Sequence, residues 1–226
     1  MTLAATMVQD FEAARRMMVL GQLEPNTVND PLLLRAMGEV PRERFLPAAL
    51  AARAYADEST PLAPGRALLQ PMVLGRLVQA LLPQPGERAL VLGAGTGYGA
   101  AVLAAMGLVV TAVEEEAALV EAGRAALDFA LPANRPELHA ANPAQGWPAG
   151  APYRVILVEG AVETVPEALW TQLGEGGRAA LVRAGKGMKG RASLFRRAGG
   201  TVSEVPSFDA AAPLLPAFAA PAGFRF

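Results

Sequence analysis

The rhythm of hydrophobic and polar positions changes near residue 86. Before it, apolar residues recur at helical spacing. After it, short apolar runs alternate with helix-length segments. In residues 2–20, Met7, Phe11, Ala14, Met18 and Leu20 fall at helical intervals, which predicts an amphipathic helix. Asn29-Asp30-Pro31 pairs a capping side chain with a proline for the first turn, so a helix is expected to begin there and continue through 32–37. Residues 41–47 break it, and 48–55 read as another short helix. Residues 57–65 carry Pro61 and Pro64 and read as loop. Gln70-Pro71 opens a helix over 72–82. Beyond it, strands are expected at 89–92, 108–113, 137–140, 153–158 and 178–183, with helices at 117–130 and 166–173. Residues 192–197 and 201–208, separated by Gly199-Gly200, have the form of a hairpin. Such alternation implies a mostly parallel sheet with right-handed crossovers, edged by an antiparallel pair. Pro213, Pro216 and Pro221 make the tail an irregular cover. The expected organisation is a helical lead-in over 1–85 that covers the substrate side, and a ligand-binding α/β unit over 86–226, packed as one compact body.

The densest signal lies in that unit. The run Ala89-Leu90-Val91-Leu92 leads into Gly93, Gly95 and Gly97, and a run of helix formers follows from Ala100. Strand, glycine turn and helix together form the nucleotide-binding device of open α/β sheets. Glycine reaches positive φ and lets a ligand approach the backbone, and the helix start offers unpaired N–H groups. Counted from Gly93, the dinucleotide spacing G-x-G-x-x-G/A fails at Tyr98; counted from Gly95, it passes at Ala100 but starts two residues late. The register from Gly93 is G-x-G-x-G, the form used by S-adenosylmethionine-dependent methyltransferases. A tight strand-to-helix turn is the plainer alternative.

Composition narrows the partners. The 226 residues are 52% hydrophobic, with 20 basic and 21 acidic side chains and a formal net charge of −1. That balance gives no basic stripe for nucleic acid. The absence of cysteine rules out disulfides and thiolate sites, and a single histidine leaves a transition-metal site short of ligands, so no metal is expected. No run approaches the roughly 18 apolar residues of a membrane span. Asp10, Glu12, Arg15 and Arg16 interrupt the apolar N-terminus, so no secretory signal is read there and the expected location is cytoplasmic.

Other residues are candidates by position. Glu114 follows the second strand, where a carboxylate accepts hydrogen bonds from the ribose hydroxyls of an adenosine-containing ligand. Glu115 and Glu116 suit the start of a helix. Asn142 can meet an adenine edge, or simply open an Asn-Pro turn. Trp147 reads as a core or lid residue. Glu159 ends the fourth strand at the crevice, placed to face the sulfonium or the substrate, or to be a solvated loop acid. His139 reads as a satisfied polar residue near a strand end. Arg183, Lys186, Lys189, Arg191, Arg196 and Arg197 read as a solvated basic face.

With these residues in place, the chain resembles the protein-L-isoaspartate O-methyltransferase family. The resemblance covers most of its length: Val28-Asn29-Asp30-Pro31, Pro41-Arg42-Glu43-Arg44-Phe45-Leu46-Pro47, Ala54-Tyr55-Ala56-Asp57 with Pro61-Leu62, Gln70-Pro71, the glycine loop, Gly146-Trp147, Tyr153 through Val158, Val165-Pro166, and the stretch from Leu173 to Gly177. It implies a Rossmann-like class I methyltransferase fold and S-adenosylmethionine as cofactor. The implied reaction is methyl transfer to the free α-carboxylate of an isoaspartyl residue in a protein or peptide. It assigns Gly93, Ala94, Gly95, Thr96, Gly97, Tyr98, Glu114, Glu115, Asn142, Pro143, Glu159 and Gln70 to the cofactor side, and Arg66, Leu69 and Ala161 to the substrate side. It identifies no catalytic side chain. Leu69 stands where the family usually has a hydroxyl residue, Val91 replaces the acid usual near the end of the first strand, and Ala141-Asn142-Pro143 matches a Gly-Asp-Gly motif. These departures leave two alternatives open, and the glycine spacing a third. One is a different carboxylate or hydroxyl acceptor, another a catalytically silent binding or scaffold member, and the most distant a dinucleotide oxidoreductase in the Gly95 register.

Overall fold

The computed structural model describes residues 10–185 and 189–220. In chain order the elements are α1 (Phe11–Met18), α2 (Pro31–Glu39), β1 (Thr60–Ala63), β2 (Arg66–Leu68), α3 (Pro71–Ala80), β3 (Arg88–Leu92), α4 (Tyr98–Ala105) and β4 (Val109–Glu114). They continue with α5 (Ala117–Ala130), β5 (Glu137–Ala140), β6 (Tyr153–Val162), α6 (Glu167–Gln172), β7 (Leu173–Arg183), β8 (Arg191–Ala198) and β9 (Thr201–Asp209). Among the described residues, one sheet has the order β5-β4-β3-β6-β7-β8-β9. The first five strands run parallel, and β8 and β9 close the edge antiparallel. This is the expected class I methyltransferase architecture.

Period-2 alternation explains the layers. Along β3, Ala89 and Val91 join one buried cluster, and Leu90 and Leu92 join another. Both faces are therefore covered, as in parallel sheets generally. Residues of α2 to α5 pack in the first cluster, and residues of α6 and the tail, including Leu215 and Phe218, pack in the second. The strand order reverses at β3, so the crevice at the carboxyl ends of β3 and β6 is the topological switch point where such sheets bind ligands.

Local signals account for most boundaries. Asp30 Oδ1 accepts from the Leu32 and Leu33 amides at 2.9 and 3.0 Å, and Pro31 fills the first helical position, so α2 begins where expected. Some expectations need correction. Residues 57–65 are not all loop, because β1 pairs antiparallel with β2 around Gly65, and Pro61 is accommodated in a separate two-stranded ribbon that has edges only. Residues 48–55 form a 3₁₀ turn over Ala48–Arg53. β6 runs on to Val162, so Glu159 lies inside a strand. The N-terminal helix begins at Phe11 behind an Asp10 cap and passes into a π turn at Val19. Residues 2–9 of the expected helix, with Met7, lie outside the described residues, as do Lys186 and Pro221.

Candidate functional site

The glycine loop lies between β3 and α4 with Gly93, Gly95 and Gly97 at φ of +62°, +56° and +88°. This left-handed backbone is cheap only for glycine, and the three positions explain the spacing. The Ala94 amide donates to the Val113 carbonyl at 3.2 Å, and the Gly97 amide to the Ala94 carbonyl at 2.7 Å. Thr96 Oγ1 donates to the Phe45 carbonyl at 2.6 Å, so the lead-in clamps the loop from outside. The loop from Gly93 to Tyr98 is buried throughout.

Glu114 ends β4 beside the loop and is fully buried. Its Oε2 accepts from the Gly95 amide at 2.8 Å. Its Oε1 accepts from the Glu115 and Glu116 amides at 2.8 and 3.0 Å. Arg66 Nε reaches both oxygens, at 3.0 and 3.1 Å, while Arg66 Nη2 donates to Glu115 Oε1 at 2.5 Å and Nη1 to the Gly65 carbonyl at 3.1 Å. The structure thus joins Arg66 to the Glu114 carboxylate in one buried ion pair.

Apolar side chains fill the space above the loop. A Cβ on Gly93 would lie 2.7 Å from Leu215 Cδ1, one on Gly160 2.5 Å from Leu215 Cγ, and one on Gly95 2.9 Å from Leu62 Cδ1. Leu215 is carried by the tail, which is tied to the end of β6. The Ala161 amide donates to the Pro213 carbonyl at 2.8 Å, and the Leu215 amide donates to the Ala161 carbonyl at 3.0 Å. Ala161, expected on the substrate side, is therefore buried beneath the tail.

Behind the loop lies a second buried polar group. Arg42 has no exposed surface. Its Nε donates to the Ala54 carbonyl and its Nη2 to the Leu69 carbonyl, both at 2.6 Å, and its guanidinium sits 4.8 Å from the Tyr98 ring centre. Glu159 is buried against α4, with its carboxylate where a Cβ on Gly99 would stand. Burial pushes its carboxyl up to about 8; the nearby Glu114 charge pushes the same way and Arg42 opposes. Glu159 Oε1, Tyr98 Oη, Arg42 Nη1 and Thr60 Oγ1 are buried without a hydrogen-bond partner. Glu159 is therefore an interior acid, not a solvated one.

The remaining candidates scatter. Leu69 is buried and offers only its carbonyl, to Arg42. Gln70 heads α3 and donates to Asp57 Oδ1 at 2.8 Å. Exposed Asn142 caps its own turn, its Oδ1 accepting from the Ala144 amide at 2.9 Å, with Pro143 buried behind it. The neighbouring Ala141 amide donates to the Glu114 carbonyl, which brings this turn next to the acid. His139, expected to be satisfied, stacks on Trp147 with ring centres 3.9 Å apart, and its Nε2 is buried without a hydrogen-bond partner, 3.4 Å from Glu137. Arg183 and Arg197 lie near Glu204 and Glu175, and Lys189 is exposed, as a solvated face requires. Reading residues alone missed Arg42, Leu62 and Leu215. An arginine in an apolar lead-in was a usable signal, whereas two leucines in irregular segments offered none.

A model of the protein-L-isoaspartate(D-aspartate) O-methyltransferase family matches residues 14–205. A protein-L-isoaspartate O-methyltransferase of Methylorubrum populi is 47% identical over 170 residues, covering 74% of this chain and 78% of that protein. One from Alkalilimnicola ehrlichii is 38% identical over 184 residues, covering 80% and 82%. A solved protein-L-isoaspartate O-methyltransferase aligns with a TM-score of 0.78 at 25% identity over 88% of this chain, which spans 65% of that structure's length. A Plasmodium falciparum beta-aspartate methyltransferase in complex with S-adenosyl-L-homocysteine aligns with a TM-score of 0.76 over 92% of this chain; at 17% identity it bears on the fold alone.

Proposed function

The chain belongs to the protein-L-isoaspartate(D-aspartate) O-methyltransferase family, and from that premise we propose that it methylates the free α-carboxylate of isoaspartyl residues in proteins or peptides, with S-adenosylmethionine as donor. The match over residues 14–205 carries the reading. The polar frame agrees with it: three left-handed glycines stand beside an acid at the end of the neighbouring strand. The frame suits the cofactor by its chemistry, while the volume above it is taken by Leu62, Arg66 and Leu215, which have to yield.

When bound, the cofactor supplies an activated methyl on a sulfonium. In this reading the Gly93–Gly97 backbone and Glu114 orient the adenosyl part, with Asn142 at the adenine edge. The attacking carboxylate belongs to the substrate and is ionised at neutral pH. The chain therefore supplies position, not a general base, which is how a protein with one histidine and no cysteine can act. Leu69 contributes no hydroxyl, and Leu69 and Ala161, both fully buried, would bound the acceptor by shape only once the side chains over them have yielded. A formal net charge of −1 offers no basic footprint for nucleic acid, so the proposed partner is a protein or peptide on the family match alone. No described helix is long and apolar enough to cross a membrane. A cytoplasmic location belongs to the same proposal.

The test is incorporation of base-labile labelled methyl from S-adenosylmethionine into an isoaspartyl peptide, with its aspartyl isomer as control. Selective labelling of the isoaspartyl peptide is expected. Labelling of a small acceptor and neither peptide would overturn the acceptor assignment.

A further inference from the structure

We propose that Arg66 and Leu215 are a displaceable plug in the ligand cleft, and that Arg66 competes with a ribose hydroxyl for Glu114. The inference rests on reading that cleft as the adenosyl site and adds what governs entry to it. A carboxylate has about four acceptor directions. Those of Glu114 are taken by the Gly95, Glu115 and Glu116 amides and by Arg66 Nε on both oxygens. Of these donors only Arg66 is a side chain, and so only it can leave without unfolding the loop. With the three amides kept, the departure of Arg66 frees one direction, on Oε2, so a ribose hydroxyl donating to Glu114 and the Arg66 guanidinium are mutually exclusive. The displaced guanidinium moves toward water, and Glu114 keeps its three amides.

Leu215 obstructs the other half. The absence of side chains at Gly93 and Gly160 leaves room at the switch point, and Leu215 occupies it from both sides, at 2.7 and 2.5 Å from the Cβ positions. Both parts of the plug ride on segments outside the main sheet. Arg66 is on the β1–β2 ribbon, and Leu215 is on a tail outside the sheet, held by an isolated bridge to β6 and by the Glu163 and Thr164 amides donating to the Phe218 carbonyl. Displacing them costs these contacts and the burial of Leu215, while the ladders pairing β3 with β4 and β6 are not among the bonds lost.

The experiment is calorimetric titration of the full chain with S-adenosylhomocysteine, comparing wild type with Arg66→Gln, Leu215→Ala and the double variant. Circular dichroism melting checks that each is folded. If Arg66→Gln does not fold, Leu215→Ala leaves the ion pair whole and tests the plug alone. We expect the double variant to bind at least about tenfold more tightly than wild type, a difference of about 1.4 kcal/mol. The Arg66→Gln gain should vanish for adenine, which lacks the diol. Addition of ligand to wild type should speed amide exchange in residues 60–68 and 213–218.

Equal affinities in all four chains would overturn the plug, and methylation of an isoaspartyl peptide by wild type would then leave the function standing. Tighter binding by the variants, with no isoaspartyl methylation by any chain, would uphold the plug and remove the acceptor assignment. No binding by any folded chain would overturn the plug, since a space that stays closed without Arg66 and Leu215 is not gated by them.

Discussion

At the scale of single residues, Glu159 is a carboxyl with strongly perturbed electrostatics. Its carboxyl is held up to about 8 by burial, against an ordinary carboxylate value near 4.5. Between those values the folded chain keeps a proton that the unfolded chain releases. That contribution to stability is present below about pH 4.5 and fades as pH rises towards 8. Glu159→Gln keeps the shape and removes the titration. The stability advantage of the variant, measured by urea denaturation from pH 5 to 9, should therefore grow with pH, and a flat difference would contradict the assignment. Glu87 has the opposite sign. The hydrogen-bonded Arg178 holds its carboxyl below the ordinary range, so its stabilisation fades only as the solution becomes strongly acid.

At the scale of elements, Arg178 and Asp30 bear measurable loads. Arg178 at β7 ties three elements together. Its Nη1 and Nη2 donate to the Glu87 carboxylate at 2.9 and 2.8 Å, its Nε to the Leu81 carbonyl and its Nη2 to the Leu82 carbonyl, each at 2.8 Å. These bonds satisfy carbonyls at the end of α3 and fix the entry to β3. Arg178→Ala should cost about 2 kcal/mol, less than a fully buried pair because both side chains keep some exposure. Asp30→Ala removes the cap of α2 and should cost about 1 kcal/mol. Chemical denaturation measures both, and a loss under a few tenths of a kcal/mol would deny the role. These elements also show what was legible from the residues. The α2 cap, the glycine turn, the 117–130 helix and the closing hairpin are written in local chemistry, and each formed where expected. The β1–β2 ribbon was hidden because Pro61 and Pro64 are loop signals unless a strand has no inner neighbour.

At the scale of the molecule, the helical lead-in and the α/β unit share one buried cluster running from Met18 to Ala210. Arg42 of the lead-in holds the Leu69 carbonyl, and Phe45 receives Thr96 of the glycine loop. We therefore expect one cooperative unfolding transition for the described body, with tryptophan fluorescence and far-ultraviolet circular dichroism coinciding in urea. Two separated transitions would show that the lead-in folds independently.

The residues alone determined the alternating sheet, the Gly93 register, the position of Glu114 and the family resemblance, because each follows from spacing within a short stretch. Only the tertiary structure decided what meets at the crevice. Arg66 lies 48 residues from Glu114, and Leu215 is 122 positions beyond Gly93, yet both converge on one loop. Local periodicity records which face of an element is buried. It carries no record of which distant side chain arrives there, since that depends on how the ribbon and the tail close over the sheet. Arg66, Leu62 and Leu215 thus fill the space beside a glycine turn that was itself legible in the residues.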